Sequence, residues 1–102
     1  MAITIRAETA RGDLVEDVAD PEARLPRLLA LADDDSFCCL RFIDPYGDTI
    51  FNGLQMPMLI AELRRLEDRV CDPDDVALLA KLRQAAKRCE TGSHLFLKFY
   101  GD

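Results

Sequence analysis

The sequence predicts a single α+β domain whose helices pack on one face of a small mixed or antiparallel sheet. Three observations favour this fold class. The 102 residues, of which 49% are hydrophobic, are enough for one core and too few for two. Strand-like and helix-like patterns follow one another in the order β-β-α-β-β-α-α-β, and most successive strands are close enough in sequence to form hairpins. We therefore expect residues 1–102 to form one domain.

The first two strands are predicted over residues 2–8 and 14–19. Ile3 and Ile5 alternate with polar neighbours, which is the period-two pattern of a half-buried strand. Residues 10–13 have the composition of a turn, so the chain can return as a second, antiparallel strand.

The first helix is predicted to start at Asp20-Pro21, with Asp as the N-cap and Pro at the first helical position. Leucines recur at helical spacing until the three aspartates at residues 33–35. Because Pro26 lies within this segment and cannot donate a backbone hydrogen bond, the regular helix can begin there.

Residues 36–43 are predicted to form a central, largely buried strand, because they read Ser-Phe-Cys-Cys-Leu-Arg-Phe-Ile. Residues 44–48 contain Pro and Gly at positions suited to a tight reversal, so residues 49–52 can return as the second strand of a hairpin. The string Ile-Asp-Pro-Tyr-Gly-Asp-Thr at residues 43–49 resembles a stretch in a family of uncharacterised small bacterial proteins, and this resemblance implies no known activity.

The last three elements are two helices and a strand. One helix begins at Pro57 and is followed directly by a second, for which Asp72-Pro73 supplies the N-cap and the first helical residue. Gly92 is expected to end the second helix in the left-handed conformation. Residues 94–100 then alternate as a strand.

Strict alternation in these strands predicts one apolar sheet face under the helices and an opposite face without helices. The second face would carry Arg, Lys, His and aromatic side chains and no carboxylate. The chain is accordingly predicted to be a small non-catalytic protein-interaction domain of the adaptor, regulator or toxin-neutralising type. It would bind a protein partner or a second copy through this basic-aromatic face and an exposed tyrosine at a loop tip. The predicted interaction residues are Arg6, Phe37, Arg41, Tyr46, His94, Phe96, Lys98 and Tyr100.

Other interpretations of the same face remain open. It can be an ordinary solvated face or stack the bases of a single-stranded nucleic acid. A different class of function, a small-molecule or anion-binding domain or a weak enzyme, would use Cys39, Arg41 and His94, since a thiol beside a histidine is one route to a nucleophile. No metal site and no cofactor is predicted, because the chain has one His and no Cys-x-x-Cys.

The charge and composition of the chain limit the classes of partner that it is expected to bind. The formal net charge is −6, and all of it lies in residues 1–52, which hold 5 basic and 11 acidic groups against 8 and 8 in residues 53–102. This excess of carboxylates argues against general affinity for nucleic acid or an anionic membrane. No secretory signal and no apolar run of membrane-spanning length is evident. We therefore expect a cytoplasmic protein with four free thiols.

Overall fold

The computed structural model describes residues 2–101, and its central feature is a four-stranded antiparallel sheet with helices on one face. The predicted α+β class is confirmed. Three short 3-10 turns occupy residues 30–32, 40–42 and 53–55. The strands are β1 (Thr4–Thr9), β2 (Leu14–Val18), β3 (Asp48–Phe51) and β4 (Leu95–Tyr100), and the helices are α1 (Leu25–Leu29), α2 (Met56–Glu67) and α3 (Pro73–Thr91).

The strands lie side by side in the order β2-β1-β4-β3. The last strand of the chain therefore enters the middle of the sheet, where Ile5 of β1 is opposite Phe99 and Phe51 of β3 is opposite Leu97. Phe51 and Phe99 also pack edge to face, with ring centroids 5.8 Å apart. These inward-pointing side chains form the sheet's contribution to the core.

The helices cover that apolar face. α2 and α3 pack against each other, and α3 contacts β1, β2 and β4. Asp72 caps α3 as predicted, since its side chain accepts a hydrogen bond from the Asp74 backbone N–H at 2.8 Å. The helical residues that are fully buried include Leu25, Leu28, Met56, Leu59, Leu63, Leu66, Leu79 and Leu82.

Two helix ends can be compared with the sequence prediction. α1 begins at Leu25, which agrees with the predicted start of the regular helix near Pro26 and not with the start at Pro21, and Asp20 accepts hydrogen bonds from the N–H groups of Arg24 and Leu25. Gly92 has a φ of −84°, so it is not left-handed. The left-handed residue in this connection is His94, with a φ of 56°.

The predicted strand over residues 36–43 is wrong. The carboxylate of Glu62, on α2, accepts hydrogen bonds from three consecutive backbone N–H groups, those of Cys38 (2.8 Å), Cys39 (3.0 Å) and Leu40 (2.9 Å). Because these donors are taken by a side chain, the segment cannot offer them to a neighbouring strand. It folds as a loop and a 3-10 turn, and β3 pairs with β4 instead of forming the predicted hairpin.

Because this segment is not a strand, its pattern of buried side chains differs from the predicted one. Alternation along a strand would place Phe37 and Cys39 outward and Cys38 and Phe42 in the core. Instead, Phe37 is completely buried and Phe42 is 63% exposed, and Cys39 is buried while Cys38 is exposed. Alternation with a period of two does not describe which side chains are buried here, because the backbone is not extended.

Candidate interaction surface

The face of the sheet opposite the helices, here called the outer sheet face, is where the candidate surface lies. Neighbouring strands place its side chains in rows: Arg6 lies opposite Asp17 on one side and Lys98 on the other, and Lys98 lies opposite Ile50. Its members are Thr4, Arg6, Glu8, Leu14, Asp17, Asp48, Ile50, Phe96, Lys98 and Tyr100.

A buried carboxylate lies at the centre of this face. Glu8 is 4% exposed; it accepts a 2.7 Å hydrogen bond from the Tyr100 hydroxyl and lies 3.1 Å from Lys98 Nζ. Burial raises the pKa of Glu8, but the hydrogen bonds from Tyr100 and Lys98 outweigh it, and the pKa lies below its usual value. The same contacts raise the pKa of Lys98 and of Tyr100. The three groups therefore form a charged, hydrogen-bonded unit at neutral pH.

The prediction of a basic face without carboxylates is therefore wrong. Continuing the alternation of β1 by two residues from Arg6 reaches Glu8, which the sequence interpretation left out. Glu8 neutralises Lys98, and Asp17 lies 3.7 Å from Arg6. Each cation of the outer sheet face is thus paired, whereas Asp48 has no basic group within 4 Å among residues 2–101.

The face also carries exposed apolar side chains. Leu14 is 55% exposed, Ile50 is 54% exposed, and Phe96 is half-buried. Tyr46 is 73% exposed at the tip of the loop formed by residues 44–48. This loop is joined to the end of β4 by a 2.8 Å hydrogen bond from the Gly101 N–H to the Gly47 carbonyl, so Tyr46 extends the surface beyond the sheet.

The structure sorts the predicted interaction residues into three groups. Four of them lie on the outer sheet face: Arg6, Phe96, Lys98 and Tyr100. Tyr46 is at the adjoining loop tip, and exposed His94 lines a cleft with Phe96 and Leu54. The remaining two are elsewhere.

Phe37 and Arg41 are not on the sheet, because the segment that carries them is not a strand. Phe37 is a core residue, with the guanidinium carbons of Arg65 and Arg69 4.9 and 4.8 Å from its ring centroid. Arg41 lies in the 3-10 turn of residues 40–42, 2.9 Å from Asp35.

The alternative constellation of Cys39, Arg41 and His94 is not assembled. Cys39 is buried against Glu62, and burial together with this carboxylate raises the pKa of its thiol to about 11. His94 is at the surface at the start of β4. Among residues 2–101, no hydrogen bond or ion pair joins Cys39 to His94, and a buried thiol with a raised pKa is a weak nucleophile at neutral pH.

Three buried carboxylates were missed by the sequence interpretation: Glu8, Glu62 and Asp75. Glu62 and Asp75 stand on the apolar stripes of their helices, and Glu62, for example, lies one turn after Leu59 and one turn before Leu66. Glu8 instead lies on the outer sheet face. A charged residue on an apolar helical stripe was the signal that could have identified Glu62.

Comparison of the chain with protein-family models, with curated proteins and with solved structures gives no match. Among residues 2–101, no group of three or more His, Cys, Asp or Glu side chains is arranged to hold a metal ion. None of the helices in the same range combines the length and the apolar character that crossing a membrane requires.

Proposed function

We propose that this protein is a small non-catalytic interaction domain that binds another protein through the outer sheet face and the loop of residues 44–48, together called the docking surface. One observation carries the proposal: paired charges at the centre of the face are flanked by exposed apolar side chains, Leu14 and Ile50, that no helix covers. An apolar and aromatic surface with its polar groups satisfied is typical of protein interfaces.

The pairing of the cations favours a protein over a phosphate-bearing ligand. A nucleic acid is held mainly by Lys and Arg side chains that neutralise its phosphates. Lys98 is 16% exposed and is already bound to Glu8, and Arg6 faces Asp17. A phosphate bound by Lys98 would have to replace its contact with Glu8, and the carboxylate of Asp17 opposes binding of a phosphate at Arg6.

The outer sheet face alone is too small for a stable interface. Four strands about 4.8 Å apart and four to six residues long present roughly 350 Å². A stable interface buries about 800 Å² on each partner, so the partner must also contact the loop of residues 44–48 that carries Tyr46. The role that we propose is of the adaptor, regulatory or toxin-neutralising type, since each of these requires binding to a partner protein.

A pair of matched substitutions tests the proposal. Ile50→Glu places a charge on the outer sheet face, and Met58→Glu places one on α2; the two side chains are 54% and 52% exposed. The partner is first isolated from the source cells with the unmodified chain, and the recombinant pair is then measured by calorimetry. We expect Ile50→Glu to weaken binding at least about 10-fold, which is the effect of about 1.4 kcal/mol, and Met58→Glu to leave it unchanged.

The opposite result, in which Met58→Glu weakens binding and Ile50→Glu does not, would place the interface on the helical side and refute the proposal. Sedimentation equilibrium provides a second check, since the proposal requires that the isolated chain be a monomer at micromolar concentration.

A further inference from the structure

We infer that the partner adds an extended segment to the free edge of β3, where the segment pairs as a fifth, antiparallel strand of the sheet. This inference rests on the proposed function and specifies how the partner binds. β3 is an edge strand, because the order β2-β1-β4-β3 gives it a neighbour on one side only. The backbone groups on its other side are therefore not used within the sheet.

A hydrogen bond at the end of the sheet shows which residues of β3 face the free edge. The Gly101 N–H donates to the carbonyl of Gly47, the residue before β3, at 2.8 Å. Because hydrogen-bonded pairs alternate along an antiparallel ladder, every second residue of β3 counted from Gly47 bonds to β4. The residues between them, Asp48 and Ile50, direct their backbone N–H and C=O groups to the free edge.

The other side of the sheet leads to the same assignment. The Thr9 N–H donates to the Asp13 carbonyl at 3.0 Å, so the backbone groups of Thr9 face β2 and not β4. Leu95 of β4 lies opposite Thr9, and its backbone groups therefore face β3, as do those of every second residue up to Phe99. Phe99 lies opposite Thr49, which leaves the same two residues of β3 for the free edge.

This edge is open within residues 2–101. Outside the sheet ladder, none of the hydrogen bonds among these residues uses the backbone of Asp48 or Ile50, and both residues are exposed. The preceding loop contacts β3 through Asp44, whose N–H donates to the Thr49 hydroxyl at 2.9 Å. That side chain lies on the helical side of the sheet, as does buried Phe51. The N–H and C=O groups of two residues are thus available to a new strand.

The opposite edge of the sheet, β2, is protected in ways that β3 is not. The register of β2 with β1 is broken by a shift, and β2 carries two acids. Glu16 lies 3.5 Å from Arg88 of α3, and Asp17 lies 3.7 Å from Arg6. Bulges and charged side chains hinder the pairing of an edge with another strand. β3 has an unbroken register with β4 and a single charge, at Asp48.

The side chains beside the free edge indicate the chemistry of the segment. Antiparallel pairing is slightly more stable per residue than parallel pairing, so the segment runs opposite to β3. Its residue opposite Ile50, which is 54% exposed, lies on the outer sheet face, where an apolar, β-branched side chain fits. Two positions later, opposite Asp48, a basic residue is favoured, because no basic group lies within 4 Å of this carboxylate among residues 2–101.

A segment of another protein fits this edge better than a second copy of the chain does. Two copies joined through β3 would share only the backbone hydrogen bonds of Asp48 and Ile50. A contact between strands of four residues covers a small part of the roughly 800 Å² that each partner buries in a stable interface. A different protein can place one segment on the edge and the rest of its contact area on the docking surface, to which Asp48 and Ile50 already belong.

The test uses a seven-residue peptide with both ends blocked, Ser-Thr-Val-Thr-Lys-Thr-Ser, titrated into the ¹⁵N-labelled chain and followed by amide shifts. Its Val is designed to lie opposite Ile50 and its Lys opposite Asp48. We expect binding of millimolar affinity in which the amide protons of these two residues move downfield, because they form new hydrogen bonds.

Methylation of the peptide nitrogens distinguishes strand pairing from other contacts. One variant carries N-methyl groups on Val and Lys, whose N–H groups would face β3. Its control carries them on the two threonines that follow these residues, whose N–H groups would face away. Since a lost hydrogen bond lowers affinity roughly 2- to 12-fold, we expect the first variant to bind at least about 5-fold more weakly and the control to bind like the unmodified peptide. Glu in place of Lys is expected to weaken binding at least about 2-fold.

Two proline substitutions locate the site on the protein. Asp48→Pro removes an N–H group from the free edge of β3, at the first residue of an edge strand, where proline is tolerated. Asp17→Pro removes the corresponding N–H group from the edge of β2 and is its control. We expect Asp48→Pro to weaken peptide binding at least about 3-fold and Asp17→Pro to leave it unchanged, with circular dichroism confirming that both variants are folded.

Equal binding of the two N-methylated peptides, shifts confined to regions away from β3 or no shifts up to several millimolar would each overturn the inference. Equal binding of the lysine and glutamate peptides would refute the basic residue opposite Asp48. A dimer of the unmodified chain that Asp48→Pro dissociates would also overturn the inference, because a second copy would then occupy the edge.

The natural partner separates this inference from the proposed function. If Leu14→Glu, on the outer sheet face far from β3, weakens that complex and Asp48→Pro does not, the docking surface stands and the edge of β3 is not used. The reverse outcome would retain strand addition and refute docking through the outer sheet face.

Discussion

At the scale of single residues, three buried carboxylates account for much of what distinguishes this structure. Burying a charge is costly unless it is paired or hydrogen-bonded, and each of the three is compensated. Glu62 accepts three backbone N–H groups, Asp75 lies 3.0 Å from Arg24 and 2.9 Å from Arg27, and Glu8 binds Tyr100 and Lys98. Among residues 2–101, no buried side-chain nitrogen or oxygen lacks a partner.

Glu62→Gln is expected to lower the free energy of unfolding by about 2 kcal/mol, because hydrogen bonds to a charged acceptor contribute roughly 1.5–3 kcal/mol. Glu62→Ala leaves the N–H groups of residues 38–40 without an acceptor and is expected to cost more, about 3–5 kcal/mol. Urea unfolding monitored by circular dichroism measures both, with the exposed Asp68→Asn as control. Equal stability of Glu62→Ala and the unmodified chain would show that this carboxylate does not hold the segment.

At the scale of elements, local pattern determines most of the fold but fails where a distant side chain intervenes. The spacing of apolar residues correctly predicts the helices around Leu59 and Leu79 and the strand around Leu97, because each element buries its apolar face. The segment of residues 36–43 has the composition of a strand and no local feature that forbids one. Its conformation depends on Glu62, 22 to 24 residues away, and a periodic pattern contains no information about such a contact.

Only part of the outer sheet face could be predicted from the sequence. Parity in β1 and β4 correctly places Arg6, Phe96, Lys98 and Tyr100 outward. The same parity in β1 would also have placed Glu8 outward, but the pairing of Asp17 of β2 with Arg6 could not be predicted, because it depends on the register of the two strands. Strand order depends on packing of the whole chain, which short-range pattern does not encode.

The pairing of β1 with β4 makes stability depend on pH through Glu8. Its pKa is lowered in the folded protein, so its contribution is complete above the unfolded pKa, near 4.5, and is lost as the pH falls through the folded pKa. We expect Glu8→Gln to be less stable than the unmodified chain at pH 7 and the difference to shrink as the pH falls from about 4.5 through the folded pKa of Glu8. Urea unfolding across this range measures it; a difference that is constant with pH would mean that the Glu8 carboxylate gains nothing from Lys98 and Tyr100.

At the scale of the whole molecule, the two halves of the chain differ in charge. The acidic excess of residues 1–52 includes the exposed aspartates at positions 33–35, 44 and 48, while residues 53–102 hold equal numbers of acidic and basic groups. A cationic partner is therefore attracted mainly to the carboxylates of residues 1–52. Such an asymmetric field orients an encounter before contact.

The whole fold also determines which of the four thiols can react. Cys38 and Cys71 are exposed, whereas Cys39 and Cys89 are buried, and burial raises the pKa of both buried thiols. Because a thiol reacts through its thiolate, we expect Ellman's reagent at pH 8 to modify two thiols quickly and the other two only after unfolding. Mass spectrometry of the partly labelled chain assigns the sites, and labelling in urea provides the count of four.

His94→Ala is expected to leave all four rates unchanged, since His94 lies at the start of β4 and Cys39 is enclosed beside α2. The exposed His94 side chain then has no effect on the reactivity of the buried Cys39 thiol. Rapid modification of Cys39, slowed by His94→Ala, would instead show that the two residues meet, and it would favour the alternative function of a small-molecule site or weak enzyme over the interaction domain.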